Sequence, residues 1–75
     1  MNKNLMLVAR NDLVTTHKRI AQSGDTNGAV AVMQSSTFQY CLNVLSPDNP
    51  AEVSEEQATM AYFAGLYILE HPDRT

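Results

Sequence analysis

Tryptophan is absent from this chain, cysteine occurs once and histidine twice. A single Cys41 excludes an internal disulfide. One cysteine and two distant histidines, His17 and His71, also lack the donor spacing of a zinc site. Cationic side chains are scarce, five against eight carboxylates, for a net charge of −3. Neutralising phosphates supplies most nucleic-acid affinity, so nucleic acid is not the expected partner of an acidic chain. Long apolar runs are missing too. The most apolar stretch, Ala58 to Leu69, covers 12 residues, short of the roughly 20 that a bilayer crossing needs. Near the start only Leu5–Ala9 is apolar, too little for the core of an export signal. A lone thiol without an export signal places the expected compartment in the cytoplasm.

What is present is organised around Ser54–His71, SEEQATMAYFAGLYILEH. Ser54 and Gln57 have capping-box spacing, Glu55 and Glu56 favour the positive end of a helix dipole, and Pro72 stops the helix. Val53 precedes the cap as a hydrophobic staple. The middle of this helix has almost no polar face, so it must be covered on more than one side. Seventy-five residues make one domain, 1–75, of a size that usually needs an extra stabiliser. With disulfide and metal excluded, self-association is the remaining option. The expected seam comprises Tyr62, Leu66, Tyr67 and Leu69.

From Asn4 to Ser23 apolar doublets recur seven residues apart (Met6-Leu7, Leu13-Val14, Ile20-Ala21), which builds one stripe on a helix. A short strand at Leu5–Ala9 followed by a helix from Asn11 or Asp12 is the alternative. Gly24 and the turn formers SGDTNG reverse the chain. Residues 26–47 carry no charge and read two ways. Phe38, Tyr40, Leu42 and Val44 alternate as in a strand, whereas Val30, Met33, Thr37, Tyr40 or Cys41, and Val44 form a helical stripe. Gln34-Ser35-Ser36 lacks the glycine or asparagine of a tight hairpin turn, which favours helix. The prolines of Ser46-Pro47-Asp48-Asn49-Pro50 make that segment a loop, and the tail Pro72–Thr75 is expected to fray. The predicted fold is mostly α: three helices over about 4–23, 28–45 and 54–71, paired as a homodimer. An α+β fold with a hairpin at about 29–45 is the alternative.

Chemistry is sparsely represented. Cys41 has no orienting partner for His17 or His71, and Glu55 and Glu56 are about 100° apart on a helix rather than paired. Glycines 24 and 28 lack the lysine of a phosphate loop. No enzyme, cofactor or metal is therefore expected. THKRIAQSGDTNGAVAVMQ is loosely similar to a helix-turn-helix, yet its second helix has no lysine or arginine, and only Asn27 and Gln34 could read bases. Charge is distributed unevenly. Residues 1–24 carry four cations against Asp12, net +3, and residues 25–75 carry Arg74 against seven acids, net −6. The expected function is a non-enzymatic inhibitor or adaptor, of the size of a bacterial or phage accessory protein. It would meet another protein through the basic edge Arg10, His17, Lys18 and Arg19, the acidic set Asp48, Glu52, Glu55 and Glu56, or both. A small DNA-binding regulator and a ligand-sequestering oligomer with a pocket around Tyr62 and Tyr67 are the alternatives.

Overall fold

The structure, a computed structural model, describes residues 2–74, and every regular element among them is helical. The helices are α1 (Lys3–Gln22), α2 (Thr26–Gln34), α3 (Ser36–Val44) and α4 (Glu55–Glu70), followed by a 3-10 turn at Pro72–Arg74. Helix α4 packs against both α1 and α3, and α2 bridges α1 and α3.

Each boundary has a local cause. The Asn2 side chain accepts from the Asn4 N–H at the start of α1, and Ser23 donates its hydroxyl to the Ile20 carbonyl at the end. Gly24 takes φ +98, a conformation that disfavours any Cβ, and Asp25 then caps α2 through the Gly28 N–H. At α4 the capping box is reciprocal: the Gln57 N–H donates to Ser54 Oγ and the Ser54 N–H to Gln57 Oε1. Val53 is buried with Ala58 beside it in the core, as a staple requires.

Three expectations are corrected. The bundle has four helices rather than three, because Ser35 interrupts 28–45. Its backbone is extended (φ −70, ψ 119), its N–H closes α2 on the Val32 carbonyl, and its Oγ accepts from the Phe38 N–H to open α3. A hairpin over 29–45 is not formed, and no strand occurs among the described residues, Leu5–Ala9 included. Phe38, Cys41, Leu42 and Leu45 are buried at i, i+3, i+4 and i+7, so a helical period overrides the alternation in α3. The same break resets the phase of α2, which buries Ala29 and Val32 and leaves Val30 and Met33 exposed. Finally, Pro72–Arg74 does not fray but packs on α2; Thr75 lies outside the described residues.

The core holds Leu13, Val32, Phe38, Cys41 and Leu45, all essentially without solvent contact. At the α1–α4 crossing a Cβ on Gly65 would come within 2.8 Å of Leu13 Cδ1, so glycine is what permits the close approach. The chain exposes 4960 Å², slightly more than the about 4,600 Å² typical of a monomer of this mass. Its extents of 36 × 20 × 16 Å describe an elongated bundle.

Candidate protein-binding groove

The loop between α3 and α4 is tied down by its own polar groups. The Asp48 N–H donates to Ser46 Oγ, the Ala51 N–H to Asn49 Oδ1, and Asn49 Nδ2 to the Val44 carbonyl. Folded this way, the loop closes one end of an open groove of about 780 Å³ between the two helices. Tyr40 and Val44 from α3 and Met60, Ala61 and Ala64 from α4 supply its apolar wall, with Asp48 and Glu52 on the loop side. Neither Lys nor Arg lines it, and none occurs in the chain between Arg19 and Arg74.

The apolar wall continues outward. Met60, Phe63 and Tyr67 stand at i, i+3 and i+7 on α4 and are 66%, 61% and 46% exposed; Tyr40 across the groove is 67% exposed. Large apolar side chains are also exposed at Leu5 and Val8 on α1 and at Val30 and Met33 on α2, but only the α4 set adjoins the groove through Met60.

The anticipated basic edge divides in two. Arg10 Nε donates to the Leu42 carbonyl at 3.3 Å, tying α1 to the end of α3. His17 Nε2 donates to the Ala29 carbonyl at 2.9 Å, with its ring 6.3 Å from that of Phe38. Both side chains therefore hold helices together. Lys18 and Arg19 are exposed and free of such duties, and so are Glu55 and Glu56 on the first turn of α4. Asp48 and Glu52 meet at the groove.

The anticipated seam also divides. Leu69 is 5% exposed, so the chain itself buries it, and Leu66 is half-buried against the same core. Tyr62 is half-buried, its phenol donating to the Asp12 carboxylate. Tyr67 alone of the four lies on the exposed stripe, its ring 4.6 Å from that of His71. Met60, Phe63 and Tyr40 were the residues missed. Their helical spacing is visible in the sequence, but an all-round apolar helix does not announce which face stays outside.

Cys41 borders the groove yet is buried, and burial pushes its thiol pKa up, which disfavours the nucleophilic thiolate. Among the described residues no cluster of three His, Cys, Asp or Glu side chains could hold a metal, and no helix is long and apolar enough to cross a membrane. The exposed face of α2 presents Asn27, Val30, Met33 and Gln34 and no cation. No protein-family model, no curated protein and no solved structure matches the chain, so a functional reading rests on this geometry alone.

Proposed function

We propose that this chain is a non-enzymatic protein-binding module of the inhibitor or adaptor kind, and that it engages its partner through the α3–α4 groove. The observation that carries the reading is the continuity of the open groove with the exposed stripe Met60-Phe63-Tyr67. Burying those side chains would supply about 1.5–3 kcal/mol each, which makes the stripe the energetic centre of an interface. Lys18 and Arg19 lie off this surface and contribute at most steering. The basic edge becomes secondary for a physical reason: two of its four members are consumed inside the bundle.

A second reading is favoured by the same stripe: two copies pair across α4, with Phe63 and Tyr67 at the seam. Native mass spectrometry of the protein purified gently from its own cells separates the readings. A heteromeric mass that disappears with Phe63→Glu supports the partner reading. Twice the 8.3 kDa chain supports the pair, and an added small-molecule mass supports sequestration in the groove. An unaccompanied 8.3 kDa chain at every concentration, or a partner retained by Phe63→Glu and Met60→Glu, overturns the assignment of this surface.

A further inference from the structure

We infer that the occupant of the α3–α4 groove is a positively charged amphipathic helix of another protein. This rests on the protein-binding reading above and specifies the partner.

Shape points to a long ligand. The groove runs beside α4 from Gln57 to Ala64, and the exposed stripe carries the apolar surface on to Tyr67. From Gln57 to Tyr67 the helix rises about 15 Å, a span that a facing helix covers with about ten residues. A small molecule seated in the groove leaves Phe63 and Tyr67 bare. A helix laid along α4 covers groove and stripe together, with apolar anchors at i, i+3 or i+4, and i+7.

Charge selects the sign. Asp48 and Glu52 border the groove, Glu56 stands one turn before Met60, and Glu70 stands one turn beyond the stripe's Tyr67. Neither Lys nor Arg lines the groove beside them. A second copy is a poor occupant on this ground. Pairing α4 with itself about a two-fold axis presents each copy's carboxylates to the other's. A cationic helix instead meets opposite charge at the loop side and at both ends of the stripe. The rim is also preorganised, since hydrogen bonds from Asp48, Asn49 and Ala51 hold the loop, so little conformational freedom is lost on docking.

The test is a selection of helical peptides from a random display library on the full-length protein. It is repeated on Met60→Glu and on the triple charge reversal Asp48→Lys, Glu52→Lys, Glu56→Lys. Expected are enriched peptides rich in Lys and Arg on one face and apolar at helical spacing on the other, lost on Met60→Glu. The charge reversal weakens them about tenfold, and added salt weakens binding to the unchanged protein. Thermal melting of both variants confirms that they are folded, and Phe63→Glu serves as a second apolar probe should Met60→Glu fail to fold. Enrichment of neutral or acidic peptides that still require Met60 overturns the inference and leaves the protein-binding reading standing. Peptides indifferent to Met60, Phe63 and the carboxylates, or no enrichment at all, overturn both. A species of twice the 8.3 kDa chain that is lost on Met60→Glu and excludes the peptides assigns the groove to a second copy and likewise overturns the inference.

Discussion

At Tyr62 the phenol donates to the Asp12 carboxylate across the α1–α4 crossing, and this bond raises its pKa above the usual 10.0, with burial and the negative charge of Asp12 adding to the effect. The folded chain thus keeps a proton that the unfolded chain releases near pH 10. The contact's stabilisation is complete below about pH 10 and is lost as pH rises through the higher folded value. Ultraviolet titration of tyrosinate checks this. Asp12→Asn is expected to shift a high-pH part of the absorbance rise downward, and Tyr62→Phe to remove it. A profile unchanged by both substitutions contradicts the contact. Gly65 answers to sterics at the same crossing. Alanine there gains about 1 kcal/mol of helix propensity but forces the fully buried Leu13 to shift, at an overpacking cost of about 1–3 kcal/mol. A net loss of about 1 kcal/mol, seen as a thermal midpoint about 4–8 °C lower, is the expected outcome.

Among the elements, the break at Ser35 decides most. Over residues 28–45 propensity leans to strand and turn chemistry to helix, and a single nine-tenths-buried serine with an extended backbone divides them into two short helices. Helices of nine residues are marginal alone in water, so α2 and α3 depend on this cap and on packing against α1 and α4. Ser35→Ala removes the acceptor for the Phe38 N–H and is expected to cost about 1–2 kcal/mol, measured by urea unfolding with an unchanged slope. α4 is the opposite case: its capping box, acidic first turn and proline stop are local and agree with one another, and its ends were legible before any packing was known.

For the whole molecule, the distribution of apolar side chains around α4 separates positions that hold the fold from positions that face solvent. Leu69→Glu buries a carboxylate inside the folded chain at several kcal/mol, against a total stability of about 4–11 kcal/mol for a chain of this length. It is expected to leave the protein largely unfolded by circular dichroism. Phe63→Glu and Met60→Glu alter solvent-facing positions and are expected to keep the thermal midpoint within about 3 °C while abolishing partner capture. Unfolding by Phe63→Glu, or a fully folded Leu69→Glu protein, reverses the assignment of the two faces.

The ends of α4, the turn at Gly24 that closes α1 and the loop at residues 46–50 were determined by local chemistry: caps, dipoles, proline and glycine, which act within a few residues. Helical class was not, because helix and hairpin both fitted residues 28–45 until Ser35 was placed as a cap. Tertiary structure decided what depends on distant partners. It drew Arg10 and His17 inward to carbonyls 32 and 12 residues away, and it placed Leu69 in the core. It also set Met60 across from Tyr40 in a groove and left Phe63 facing outward. An all-round apolar helix is equally ready to bury any face, so only the positions of α1 and α3 could choose which one stayed exposed.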